Sequence, residues 1–220
     1  MAALVQISGL PGTGKTFGAK TLDPKTTYII SSDKKGLSWT GWRKDYSKEL
    51  KNYNNISDPA SIMQTLDAIV KNRPDIKTVV IDTINGIMND EQMLEMKKPN
   101  FDMWRDMAID IYKIYDQIRM IGRDDLVVFV CAHIEPYDVN GVTHWRTKTN
   151  GKMLTKISLA SVLNYNLYTQ VEHMGEGNNR HWLLTQTDGR NEARSVQGVL
   201  DYKIPNDFEA IRKKIIESES

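Results

Sequence analysis

"ALVQISGLPGTGKT", residues 3–16, decides how the rest of the chain has to be arranged. A short apolar run ends in a glycine-rich turn, and the pattern G-x-x-x-x-G-K-[ST] is complete from Gly9 to Thr16. Such a loop joins a buried parallel strand to a helix, and its backbone amides cradle the phosphates of a nucleotide. Gly9, Pro11, Gly12, Thr13, Gly14, Lys15, Thr16 and Phe17 are therefore the candidate nucleotide-binding residues. The amides of Gly12, Thr13, Gly14 and Lys15 are expected to face phosphate oxygens. The Lys15 ammonium adds a point charge on the β- and γ-phosphates, and the Thr16 hydroxyl is a candidate ligand for Mg²⁺. ATP and Mg²⁺ are the expected ligands.

Beyond this loop, apolar runs alternate with helical periodicity. "TTYIIS" (26–31), "TVVID" (78–82) and "DLVVFVCAHIE" (125–135) read as further strands, the last being the most apolar and hence central. Asp58-Pro59 opens a helix with Ile62, Leu66, Ile69 and Val70 on one face. A second helix is expected from Phe101 to Ile121, with Trp104, Ala108, Ile111, Tyr115 and Ile118 on one stripe. The P-loop helix should run from Gly14 to about Leu22, and the polar stretch from Ser31 to Asn55 reads as a surface connection with little order. "YNLYTQVEHM" and "RHWLLTQT" around "GEGNN" suggest a hairpin, and a short helix with Phe208, Ile211 and Ile215 on one face closes the chain. The expectation is a single α/β domain over residues 1–220: a mostly parallel central sheet flanked by helices, with a C-terminal hairpin. Ligands of such sheets bind at the carboxyl ends of the strands, where Ser8, Asp33, Asp82 and His133 would converge.

Composition narrows the setting. The net charge is +1, and no apolar stretch reaches the about 18 residues of a membrane span, so no membrane partner is expected. The start lacks a basic segment followed by a long apolar one, so a secretory leader is not expected. One cysteine, Cys131, reads as a small buried hydrophobe, in keeping with a cytoplasmic, reducing compartment. His144, His173 and His181 show no zinc-ligand spacing with Cys131.

Asp82 closes the strand "TVVID" and suits the second Mg²⁺ contact. The next residue is Thr83, not a glutamate, so a water-activating base has to come from elsewhere. Asp33 and Glu135 are the candidates, and His133 is placed to touch the γ-phosphate or the water. From Asn140 to Val171 there is no Asp or Glu. Arg146, Lys148, Lys152 and Lys156 lie there with His144 and Trp145, a composition that suits single-stranded DNA as well as it suits an ordinary solvated loop.

"SGLPGTGKT", "TVVIDTI", "NFDMWRDMAIDIYKIYDQIR", "VVFVCAH" and "WRTKTNGKMLTKI", in this order, resemble the phage-encoded RecA-like P-loop ATPases, which include proteins linked to single-strand annealing and recombination. The resemblance spans residues 3 to 210. It implies a RecA-like core, Mg²⁺-ATP hydrolysis, assembly into a ring or filament, and work on single-stranded DNA in recombination or replication. A single-strand DNA-binding or annealing protein would be a partner, in the cytoplasm of an infected host. In such enzymes an acidic residue follows the second strand, and Asp33 stands where a Glu is usual. Arg190 or Arg194 is the candidate cation donated to a neighbouring subunit's site. Two other readings stay open: a nucleotide-gated scaffold or loader with little hydrolysis, and a small-molecule phosphotransferase, for which no arginine-rich lid is evident.

Overall fold

The structure, a computed structural model, describes residues 1–95, 102–150, 159–175 and 178–219. The chain alternates as expected: β1 (Ala3–Gly9), a 3-10 helix (Thr16–Thr21), β2 (Thr27–Ser31), α1 (Trp42–Asp45), β3 (Tyr53–Asn55), α2 (Pro59–Asn72) and β4 (Thr78–Asp82). It continues with α3 (Ile84–Glu95), α4 (Met103–Met120), β5 (Val127–Val139), β6 (Val142–Thr147) and a 3-10 turn (Leu159–Val162). β7 (Tyr165–His173), β8 (Asn179–Leu184), β9 (Lys203–Pro205) and α5 (Phe208–Glu219) complete it.

Among the described residues these strands form one mixed sheet in the order β3-β2-β4-β5-β1-β7-β8-β9, with β6 pairing β5. From β3 to β7 all neighbours are parallel, and β7-β8 and β8-β9 are antiparallel. β5 thus lies between the P-loop strand and β4, with Gly9 level with His133 and Cys131 level with Asp82.

Side-chain alternation along the strands splits the core in two. Val128, Val130 and Ala132 of β5 face α2, α3 and α4, while Val127, Phe129 and Cys131 face the P-loop helix and α5. α2 begins as its sequence dictates: the Asp58 carboxylate accepts from the Ser61 amide at 2.7 Å, Pro59 occupies the first turn, and Ile62, Leu66 and Ile69 are buried. On the other face Phe129 stacks on Phe208 with ring centroids 4.4 Å apart. Cys131 is buried, as expected. No helix among the described residues is long and apolar enough to cross a membrane.

Three expectations need correction, and one strand was not expected. The P-loop opens a six-residue 3-10 helix rather than an α-helix to Leu22. The Ser31–Asn55 stretch is not a loose connection: Trp39, Tyr46 and Tyr53 are buried, and Tyr53–Asn55 forms the edge strand. Its apolar anchors are aromatic and widely spaced, so they make no periodic pattern. The basic stretch does not start as a loop either. Asn140 and Gly141 both take left-handed φ, 53° and 78°, which makes a tight hairpin turn, and Val142–Thr147 folds back on Ile134–Val139. Finally, Lys203–Pro205 adds a short strand against β8.

Removing the Phe208 ring leaves a void against Phe129 that the sheet cannot close. Phe208→Ala is expected to cost about 3–5 kcal/mol, read as a fall in the urea midpoint at unchanged slope; a loss within experimental error would mean the α5 face is not part of the cooperative core.

Candidate functional site

Strand ends build the site. The parallel register brings Gly9, Asp82 and His133 to one edge, and Asp33 follows two residues after β2. Ser8 stands at the same edge, but its buried hydroxyl donates to Asn166 Oδ1 on β7 at 2.7 Å and does not line the pocket. A pocket at this edge is lined by Pro11, Gly12, Gly14, Lys15, Thr16 and Phe17, closed by Lys35, Ser38, Thr83, His133 and His181.

The loop is held open by its own start. Lys15 Nζ donates to the carbonyls of Gly9 and Leu10 at 2.9 and 2.8 Å. The Thr13 amide turns back to Leu10 O at 3.4 Å, which leaves the amides of Gly12, Gly14 and Lys15 unpaired among the described residues. Three N–H groups without partners beside an ammonium form a concavity suited to an anion. Burial lowers the pKa of Lys15 below the ordinary lysine value, with Asp82 and Asp33 pulling the other way.

The Thr16 hydroxyl donates to Asp82 Oδ2 at 2.7 Å. Asp82 is buried, and its Oδ1 has no hydrogen-bond partner among the described residues. Burial raises its pKa above the usual carboxylate range. An orphaned carboxylate oxygen beside a hydroxyl is a hard-oxygen donor pair that fits Mg²⁺, a cation that keeps several waters and takes few protein ligands. No cluster of three or more His, Cys, Asp or Glu able to hold a metal occurs among the described residues, so this pair is the candidate.

The two candidate bases are both engaged. Asp33 pairs with Lys35 at 2.5 Å and keeps one buried oxygen without a partner; its charge reaches Asp82, Lys15 and His133. Glu135 accepts from Arg146 Nε at 2.9 Å across the β5-β6 pair and does not line the pocket. This corrects Glu135 as a base: on the hairpin it lies opposite Arg146, a pairing that no local pattern after Asn140 signals.

Arg146 also lies over the Tyr137 ring at 5.1 Å, with His144 beside that ring at 5.5 Å. His144 and Arg146 share one face of β6, and alternation puts Trp145 on the other. The expected cluster of indole and cations is therefore split. Lys152 and Lys156 lie outside the described residues. Arg190 and Arg194 are exposed and absent from the pocket lining; their segment is tied down by its backbone, Trp145 N–H donating to Arg190 O at 2.7 Å and Arg194 bridging Asn166.

Other participants were not read from the sequence. Asn85, on the first turn of α3, accepts from the His133 amide at 2.7 Å and donates to Lys148 O at 2.9 Å, while Lys148 N–H donates to His133 O at 2.7 Å. His133 stands in the middle of β5, which runs on to Val139 instead of ending there, and it is closed into one ring of hydrogen bonds with the helix after Asp82 and the residue leaving β6. From the C-terminal part, His181 Nδ1 meets Thr13 O at 3.0 Å and Asn206 Nδ2 donates to Gly14 O at 2.7 Å. Gly14 has φ 96°, and a Cβ there would stand 2.6 Å from His181 Nδ1, so glycine is required twice over. Neither Asn85, His181 nor Asn206 carries a local signal, because each acts through a partner distant in sequence.

Compared with protein-family models and with curated protein sequences, the chain matches none.

His133 lines the pocket with its Nδ1 buried and without a partner among the described residues. Burial, with Lys15 and Lys35 adding repulsion, lowers its pKa from 6.5 to about 4. Between these values the unfolded chain binds a proton that the folded one refuses, so stability falls as pH drops through that window. His133→Gln removes this linkage. Between about pH 7 and about pH 4.5 the wild type should lose more of its urea midpoint than the variant; equal losses would show that the imidazole is not held neutral by its surroundings.

Proposed function

We propose that this chain is a RecA-like P-loop ATPase that binds and hydrolyses Mg²⁺-ATP and acts on single-stranded DNA in phage recombination or replication. The observation that carries the nucleotide part is the Thr16–Asp82 contact beside an anion-seeking loop, with β5 inserted between the two strands concerned. That insertion is the strand order expected of a RecA-like core. Lys15 would hold the β- and γ-phosphates, and the bound Mg²⁺, held by Thr16 and Asp82, would supply charge neutralisation on the phosphates. Asp33, two residues past β2 at the edge where Ser31 is level with Asp82, is the better-placed base, although like Glu135 it stands outside the pocket lining. Arg190 and Arg194, exposed and away from their own pocket, are free to serve a neighbouring copy in a ring or filament.

The DNA part rests on the resemblance and on the hairpin of β5 and β6, one half-buried face of which carries Tyr137, His144 and Arg146 together with Glu135, paired to Arg146. Its base is bonded to His133 and Asn85, so a strand bound there is mechanically continuous with the nucleotide site. A second reading is a nucleotide-gated scaffold with little hydrolysis. The ion pairs that engage both Asp33 and Glu135 favour it, since a carboxylate neutralised by a lysine or arginine is a poorer base.

Phosphate release from ATP and Mg²⁺, with and without single-stranded DNA over a range of protein concentrations, separates the readings. Stimulation by DNA that rises more than linearly with protein is expected; binding of ATP without turnover on DNA supports the scaffold instead. Lys15→Ala should lower turnover by roughly 100-fold or more. Arg146→Ala should weaken DNA binding and reduce the salt slope by about 1 while leaving ATP binding intact. An unchanged DNA affinity would remove the hairpin from the interface.

A further inference from the structure

We propose that His181 reads the base of the bound nucleotide and selects adenine over guanine. This deepens the nucleotide-binding reading above and rests on it.

The position follows from the pocket's two ends. Phosphates seated on Gly12, Gly14, Lys15 and Thr16 put their terminal group toward Asp82, which the Thr16 hydroxyl meets, and toward Thr83 and His133, on the β4-β5 side of β1, whereas His181 belongs to β8 on the opposite side. The nucleoside has to leave on the other side of the loop. There the lining is aromatic: Phe17, partly exposed, and His181, with ring centroids 5.7 Å apart. A base has faces to stack and edges to pair, and this end offers a ring for the first and a ring nitrogen for the second.

The chemistry of the nitrogen is set by its other partner. A carbonyl oxygen only accepts, so the 3.0 Å contact between His181 Nδ1 and Thr13 O places the proton on Nδ1. In the neutral ring Nε2 is then an acceptor. Adenine carries an amino donor at the position where guanine carries a carbonyl oxygen. An Nε2 lone pair pairs with the first and repels the second. The ring cannot turn to exchange its nitrogens without giving up the Thr13 carbonyl, and it packs so close to the loop that a Cβ placed on Gly14 would stand 2.6 Å from Nδ1. Asn206, bonded to Gly14 O, holds the adjacent stretch of loop, so the imidazole is not alone in bracing it.

His181 could also brace the loop and do nothing else, and the test separates the two roles. Affinities for ATP, GTP and inorganic triphosphate, each with Mg²⁺, are measured by calorimetry on the full chain, as wild type, His181→Asn and His181→Phe. Asn keeps a donor near the Nδ1 position and so keeps the bond to Thr13 O, but it has nothing at Nε2; Phe keeps the ring and loses both nitrogens. The wild type is expected to bind ATP about tenfold more tightly than GTP, the worth of one hydrogen bond made or opposed. In His181→Asn that ratio should fall to within about threefold while triphosphate affinity holds, and His181→Phe should lose the ratio as well. A bracing role alone would weaken all three ligands by a common factor and leave the ratio intact, which overturns the proposal. So would a wild type that binds ATP and GTP equally. If the folded wild type binds neither nucleotide nor triphosphate, the nucleotide reading itself fails, an outcome distinct from a lost base preference.

Discussion

The hydrogen bond from Thr16 to the Asp82 carboxylate is the contact on which the remaining architecture depends. Its two residues belong to elements on either side of β5, so it exists only because the sheet runs β4-β5-β1 with Asp82, Cys131 and Gly9 reaching the same edge. A one-residue slip in either ladder would turn Asp82 to the opposite face. Burying a carboxylate is costly unless it is bonded or paired, and here a single hydroxyl meets one of its oxygens. The raised pKa of Asp82 expresses the unpaid remainder. The neighbouring backbone is fixed accordingly: Ser32 both donates to Thr83 O and accepts from Thr83 N–H, which locks the turn after β4 to the turn after β2.

A second set of polar contacts ties this edge to the far side of the sheet. Gln6, within β1, accepts from Tyr115 on α4 and donates to Ser8, Thr147 and Asn166. Glu192 accepts from the Thr147 amide and hydroxyl. A buried network of this kind adds little net stability, but each member left unpaired would be expensive, so it specifies one arrangement of β1, β6 and the segment at residues 190–194. Thr147 and Lys148 are adjacent, the first held by this network and the second by His133 and Asn85. The base of the hairpin is therefore a junction of the P-loop strand, the central strand, α3 and the segment that carries Arg190 and Arg194.

Local physics explains what could be read in advance. The P-loop, the apolar strand runs, the Asp58-Pro59 helix start and the stripes of α2 and α4 are properties of consecutive residues, and each stands where its pattern placed it. The place of Asp82 beside the P-loop was legible because it ends an apolar strand, and such strands carry their last residues to the ligand edge of a parallel sheet. The hairpin turn at Asn140-Gly141 carries a strong dipeptide turn signal, which the basic, acid-free composition of the following residues masks. What could not be read were pairings across distance. Glu135 with Arg146, His181 with Thr13 and Asn85 with Lys148 each join residues whose proximity exists only once the strands are ordered.

Lys15 and Asp82 are displaced toward neutrality by the same cause, burial, in opposite directions: the lysine's pKa is lowered and the aspartate's is raised. A site whose two principal charges are both uncomfortable is one in which a ligand of the right charge pattern gains more than its direct contacts. A polyphosphate beside Lys15 restores the ammonium's preference for its proton. A divalent cation beside Asp82 restores the carboxylate's preference to be ionised. Each ligand also brings the charge that the other needs, so polyphosphate and cation are expected to bind more tightly together than either does alone. Lys15 would then exchange the carbonyls of Gly9 and Leu10 for phosphate oxygens, and those carbonyls lie at the end of β1, level with His133. The carbonyl that Lys15 now holds and the histidine bonded to the hairpin base lie at one rung of the sheet, so under the nucleotide reading an event at the phosphates would have its shortest path to β6 there.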